Sequence, residues 1–282
     1  MHDHIPSKTA LRVGMRRAIH QILDDPKVLD DPLAIAILGS QTAAELRASP
    51  EQFERPGTAT LRAFVAARSR FAEDRLAAAV AKGVRQCVVL GAGLDTFAYR
   101  NPFPNLRVIE VDHPATQAWK RDLLAAASIP IPDSMSFAAV DFSKQNLAEE
   151  LQRAGFQTAE PAFFSWLGVV PYLSHDAALG TLKWIGSLPA STTVVFDYAV
   201  ARSHLGLLER RALDALSKRV AQAGEPFQLF FVPRQLAVEL AAAGFHALDD
   251  LGSSEINSRY FADRRDGLKV RGNLGRLIAA TV

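Results

Sequence analysis

Val88-Val89-Leu90-Gly91-Ala92-Gly93-Leu94-Asp95-Thr96 decides how this 282-residue chain is read. An apolar, β-branched run ending in Gly-x-Gly predicts a buried parallel strand that turns tightly into a helix. Glycines in such a turn let backbone approach a ligand that a Cβ would hold away. A dinucleotide site asks for Gly-x-Gly-x-x-Gly, with an acid about 20 residues on for a ribose. Thr96 stands where the third glycine belongs, whereas the acid is present as Asp112. Asp95 lies in the turn itself, with no lysine or arginine in the turn to offset it. A pyrophosphate bound there on a helix N-terminus meets like charge. A nucleoside without phosphates does not. S-adenosylmethionine is such a ligand: acids suit its sulfonium and ammonium, and amides suit its carboxylate. These residues therefore favour S-adenosylmethionine over NAD.

Outward from this turn, strands are expected at 87–90, 106–111, 136–140, 162–166, 192–196, 245–248 and 276–281. Helices are expected at 114–127, 147–154, 174–185, 202–223 and 233–243, with Gly155 and Gly244 as stops. Alternation of this kind means an α/β fold, a doubly wound and mostly parallel sheet. Ligands of such sheets bind beyond the carboxyl ends of the strands, where Gly91, Asp112 and Asp141 fall. The first 80 residues hold no convincing strand. Leu11, Met15, Ala18 and Ile22 recur at helical spacing, with Arg12, Arg16 and Arg17 off that stripe. Asp30-Asp31-Pro32 is read as a helix start, 50–58 as a loop, and 60–82 as a long helix closed by Gly83. The chain thus divides into a helical cap or lid, residues 1–83, and a nucleoside-binding domain, residues 84–282.

Composition bounds the function. Hydrophobic residues make up 49% of the chain and charged residues 22%, enough for a sizeable core. A net charge of +2 with no basic block argues against nucleic acid as a partner. The single cysteine, Cys87, excludes an internal disulfide and a multi-cysteine metal site, and its apolar neighbours make it an inert buried thiol. No signal core and no membrane-length apolar run occur, so a soluble cytoplasmic protein is expected, free of membrane. No metal site is expected, and a homo-oligomer is left open.

Several residues admit two readings. Arg68 falls on the apolar face of the long helix with Leu61, Phe64, Val65, Phe71, Ala72 and Leu76. A guanidinium aimed at a core either pairs with a nearby acid or clamps a ligand carboxylate. Asp112 either accepts two ribose hydroxyls or caps the helix opening at Pro114. Asp141 either accepts from an adenine amino group, beside the Phe142 backbone N–H, or is a turn residue. Tyr172, His175, Tyr198 and His204 follow the fourth and fifth strands, where an acceptor would lie; each could orient or deprotonate it, or be structural. No hydrolase elbow or zinc motif is present.

Six segments, in order along residues 7–173, resemble the leucine carboxyl methyltransferase family, specifically its bacterial branch of S-adenosylmethionine-dependent O-methyltransferases. They are Ser7-Lys8-Thr9-Ala10, Asp31-Pro32-Leu33-Ala34, residues 68–74, Leu90 to Arg100, Glu110-Val111-Asp112-His113-Pro114 with Lys120, and Gly168 to Leu173. The resemblance implies a class I methyltransferase (Rossmann-like) seven-stranded sheet with an N-terminal helical cap. It puts Arg68 on the methionine carboxylate and Gly91, with Ala92, Gly93 and Asp95, against the cofactor. It puts Asp112 and His113 at the ribose, Asp141 and Phe142 at the adenine, and Lys8 near the carboxylate. Many relatives have Arg at the position of Phe97 and Glu at that of Leu167, a residue expected beside the cofactor's polar end. Loss of that carboxylate favours a small hydroxyl or carboxyl acceptor over a protein terminus. The expected reaction is methyl transfer to oxygen by in-line displacement, governed by proximity and orientation. An NAD(P)-dependent oxidoreductase and a non-catalytic cofactor-binding protein are the rival readings.

Overall fold

A computed structural model describes residues 7–53, 56–140, 145–222, 224 and 226–282. Three helices come first: α1 (Lys8–Leu23), α2 (Ser40–Ala48) and α3 (Pro56–Ala81). The strands are β1 (Gln86–Leu90), β2 (Arg107–Asp112), β3 (Met135–Ala139), β4 (Phe163–Trp166), β5 (Thr193–Ala199), β6 (Ala247–Leu251) and β7 (Gly275–Thr281). The connecting helices are α4 (Pro114–Ala126), α5 (Leu147–Arg153), α6 (His175–Gly186), α7 (Leu207–Gln222), α8 (Pro233–Ala242) and α9 (Ser253–Tyr260). One seven-stranded sheet runs β3-β2-β1-β4-β5-β7-β6. β1 to β5 pair in parallel, and β7 is antiparallel to both β5 and β6. The strand order reverses between β1 and β4, so the switch point lies beside Leu90 and the glycine turn that follows it.

Alternate residues of β1 feed opposite faces, as a strand's twofold period demands. Val88 and Leu90 join Phe164, Phe196 and Leu182 on one side. Cys87 and Val89 join Phe71, Phe163 and Leu277 on the other. α3 lies on this second face, where Ala63, Ala66 and Ala67 permit close approach. A third cluster ties Ile19 of α1 and Leu46 of α2 to Leu94 of the glycine turn. Burial pushes the Cys87 thiol well above its usual value, which keeps it un-ionised and inert. Among the described residues, no helix is long and apolar enough to cross a membrane.

The doubly wound sheet and its seven strands agree with the sequence reading; several boundaries do not. No α-helix follows the glycine turn. Phe97–Tyr99 forms one 3-10 turn, and the chain then passes directly to β2. Pro32 opens no helix, because the Asp31 side chain beside it is buried and bonded to Arg17 and Thr96. A 3-10 turn at Ala36–Leu38 and Gly39 at φ +81° precede α2 instead. α3 starts at Pro56, inside the expected loop, and a 3-10 turn fills Pro50–Phe53. β5 runs on to Ala199 because β7 pairs with it that far, so Asp197 lies within the strand rather than at its tip. The strand expected at 245–248 is displaced to β6, since the Phe245 N–H still bonds back to Leu240 of α8. α7 begins at Leu207, after a 3-10 turn over Arg202–His204, and α9 was not expected.

Candidate functional site

A cleft of about 770 Å³ opens at the switch point, within the range of small-molecule sites. Its floor is the turn from Gly91 to Asp95, tied to β2 by the Gly91 and Ala92 N–H groups donating to Val111 O at 2.8 and 3.0 Å. Gly91 and Gly93 have φ of +67° and +47°, conformations that L side chains rarely adopt. A Cβ on Gly91 would meet Val169 Cγ2 at 2.3 Å, and one on Gly93 would meet Ala10 Cβ at 3.1 Å. The missing side chains thus make room for protein as well as exposing backbone to the cleft.

Asp112 ends β2 and faces this turn. Gly93 N–H donates to its Oδ2 at 2.6 Å and His113 N–H to its Oδ1 at 2.7 Å. Neither bond exhausts its oxygen, because a carboxylate oxygen has two lone-pair sites. Burial raises the Asp112 carboxyl above its ordinary value, against those two N–H bonds. The cap of α4 is His113, whose Nδ1 accepts from Ala115 N–H at 3.3 Å, so Asp112 is not spent on capping. His113 and Val140 continue the wall on this side. Asp141, Phe142 and the Lys8 side chain lie outside the described residues.

Opposite stand Arg68, Leu167 and Gly168. Arg68 is 7% exposed. Its Nη1 donates to Asp197 Oδ2 at 3.1 Å, while its Nε is buried without a partner among the described residues. Arg68 therefore has its acid, and it lines the cleft with hydrogen-bonding capacity left. Phe97 and Leu167 line one small adjoining cavity with Ser69 and Glu73. The two departures from the family pattern are thus neighbours. With both apolar, neither a buried cation nor a buried carboxylate is left alone.

Asp95 lines the cleft but is not the bare charge that the turn alone suggested. Its Oδ1 accepts from Phe97 N–H at 2.7 Å, and its Oδ2 lies 3.4 Å from Arg17 Nη1. Arg17, on α1, also bonds Asp31 and Thr96, while Arg100 lies 3.3 Å from Asp31 and pairs with Glu73. Burial would raise Asp31, but Arg17, then Arg100, hold it below the usual carboxylate range. The sequence reading placed Arg17 off α1's apolar stripe and so missed this network; only the presence of Asp31 and Thr96 within family segments could have signalled it. The case against a pyrophosphate rests instead on the missing helix, which leaves no helix N-terminus at this turn to receive one.

Of the four acceptor-side candidates, Tyr172 lines the cleft, near Leu173, Ser174 and Gln228. Tyr198 is buried in the sheet and donates to Asp250 at 2.8 Å. His175 is exposed at the start of α6, 3.4 Å from Glu239, and His204 is exposed beside Ser203. The structure does not bring these three to the cleft.

The strand order and the switch-point cleft define a class I methyltransferase fold. Residues 10–186 match the family model described as leucine carboxyl methyltransferase. A Bacillus subtilis (strain 168) protein named "Putative S-adenosyl-L-methionine-dependent methyltransferase YktD" is 30% identical over 291 residues, covering 95% of each chain. A similarly named Parafrankia sp. (strain EAN1pec) protein is 36% identical over 186 residues, 65% of this chain and 59% of its own. Among solved structures, a "putative methyltransferase" from Thermobifida fusca YX superposes with a TM-score of 0.58 at 16% identity, covering 95% of this chain and 93% of that one. A DUF574 family protein from Streptomyces avermitilis MA-4680 gives 0.55 at 17% identity over 94% and 96%. These two share the fold. The chain belongs to the leucine carboxyl methyltransferase family.

Proposed function

We propose that this enzyme methylates an oxygen atom of a small acceptor that enters already ionised. Its family makes it an S-adenosylmethionine-dependent methyltransferase; the oxygen acceptor and the residue roles are our reading. The observation that carries the cofactor roles is Asp112, a half-buried carboxylate at the β2 tip with one N–H on each oxygen and the cleft before it. It would accept the two ribose hydroxyls. Arg68 would hold the methionine carboxylate through the guanidinium donors that its bond to Asp197 leaves over at the cleft. Asp141 and Phe142 follow Val140 of the cleft wall and would meet the adenine. Lys8 begins α1, whose Thr9 and Ala10 line the cleft, and would add a cation near the carboxylate. When bound, S-adenosylmethionine supplies a methyl group on a sulfonium leaving group. Residues 1–83 would act as a cap that excludes water.

The acceptor class follows from what borders the Tyr172 end. Among the described residues that line the cleft, the carboxylates and the imidazole are Asp95, Asp112 and His113, which belong to the glycine turn and the end of β2. Among the described residues, Arg16 is a cation whose charge acts on Tyr172. Arg16 is pulled down to about 10 by burial and by Arg12, Arg68 and Arg219. Such surroundings favour a carboxylate or an acidic hydroxyl, which needs no base. Incubation with methyl-labelled S-adenosylmethionine and a panel of acids, phenols, alcohols and amines tests this. Label should pass to acids or acidic phenols; transfer to amines alone contradicts it.

Arg68→Ala should weaken S-adenosylhomocysteine binding by about 1.5–3 kcal/mol, the worth of a charge-assisted hydrogen bond. Calorimetry on the folded variant measures it, and an unchanged affinity removes Arg68 from the carboxylate.

A further inference from the structure

Arg68 cannot choose its own direction. It extends from α3 to Asp197 of β5 and to the turn after β4, and three contacts define where its guanidinium sits. Asp197 Oδ2 accepts from Nη1 at 3.1 Å. The other oxygen of the same carboxylate, Oδ1, accepts from Gly168 N–H at 2.5 Å. Gly168 lies flat against the guanidinium: a Cβ there would stand 2.8 Å from Nη2, 2.9 Å from Nη1 and 3.1 Å from Cζ, and its φ is +72°. Asp197 is 6% exposed and, unlike Arg68 and Gly168, does not line the cleft. Its carboxylate is therefore a bridge from the turn after β4 to the guanidinium. It fixes one edge of the Arg68 fork and leaves the remaining donors for whatever occupies the cleft. The extension of β5 to Ala199, paired with β7, holds Asp197 in a strand rather than in a mobile tip.

We propose that Asp197 is a positioning residue that aims Arg68 at the cofactor carboxylate, with Gly168 providing the clearance. The inference rests on the reading of Arg68 given above. A side chain that touches no ligand acts here by holding another in the productive orientation, as binding sites require of their supporting groups. The same pair also keeps the guanidinium from being a lone buried charge when the cleft is empty of carboxylate.

The test compares two ligands on one set of folded proteins. S-adenosylhomocysteine carries the amino-acid end; 5′-methylthioadenosine has the same nucleoside and thioether without it. Asp197→Asn should weaken S-adenosylhomocysteine about tenfold, a large share of one charge-assisted bond, and leave methylthioadenosine within about twofold. Gly168→Ala, whose methyl displaces the guanidinium, should show the same selectivity. Methylthioadenosine binding doubles as the check that each variant retains a formed site. Equal loss of both ligands in both variants makes Asp197 and Gly168 general structural residues and overturns the proposal. So does full S-adenosylhomocysteine affinity in Asp197→Asn. Arg68→Gln separates the two levels: selective loss there with no effect in Asp197→Asn sinks only the positioning role, whereas no effect in Arg68→Gln sinks the reading of Arg68 beneath it.

Discussion

Asp112→Ala is expected to raise the dissociation constant of S-adenosylhomocysteine by about two to four orders of magnitude. The substitution removes the acceptors of two hydroxyls, and a hydrogen bond to a charged group is worth about 1.5–3 kcal/mol. It also frees the N–H groups of Gly93 and His113, so the turn that floors the cleft keeps only its backbone bonds to Val111 as ties to β2. The loss should be equal for 5′-methylthioadenosine, because the ribose is common to both ligands. That sets Asp112 apart from Arg68, whose loss should spare the truncated ligand. The wild-type pH profile carries a second signature. Burial raises the Asp112 carboxyl, so in the free enzyme it protonates at a higher pH than an ordinary aspartate. Affinity should accordingly begin to fall on acidification before the ordinary value of 3.8 is reached. Calorimetry across pH, on wild type and Asp112→Ala, reads both effects.

Asp31→Ala is expected to destabilise the fold by about 3–5 kcal/mol, the usual cost of taking one partner from a buried ion pair. Asp31 is fully buried and serves two arginines, Arg17 and Arg100, together with the Thr96 hydroxyl. Its removal leaves Arg17 with the more distant Asp95 and returns a buried guanidinium to an incomplete shell. The pH dependence follows in sign. The folded-state pKa of Asp31 is depressed, so its stabilising effect is fully present above the unfolded value near 3.8 and is lost as pH falls through the folded one. The stability difference between wild type and Asp31→Ala should therefore shrink in acid. Chemical denaturation at neutral pH and near pH 3 would show it; a difference that stays constant would remove the ion pair as its cause.

The sheet was legible because its signals are local. Val88, Val89 and Leu90 are apolar on both faces, as a central parallel strand must be, and Gly91 breaks the run where the φ turns positive. Asp112 was legible as a strand-tip acid, although only the structure gives the cap of α4 to His113. What stayed hidden was long-range. Arg17 looked like a solvated residue beside an apolar stripe, yet it reaches across 78 residues to Asp95 and 79 to Thr96. Asp197 fell just past the strand expected at 192–196, because nothing near it in sequence announces the antiparallel partner that prolongs β5. The preference for a nucleoside without phosphates stands on different ground from where it began. Asp95 is paired, so bare repulsion is not the reason; the absence of a helix after the turn is.

The central claim is that this cleft holds a sulfur nucleoside and not a dinucleotide. Titrating one preparation with S-adenosylhomocysteine and then, separately, with NADH tests it most directly. The expected result is saturable binding of S-adenosylhomocysteine at one site per chain, lost in Asp112→Ala, and no heat with NADH. Saturable NADH binding with none for S-adenosylhomocysteine would contradict it.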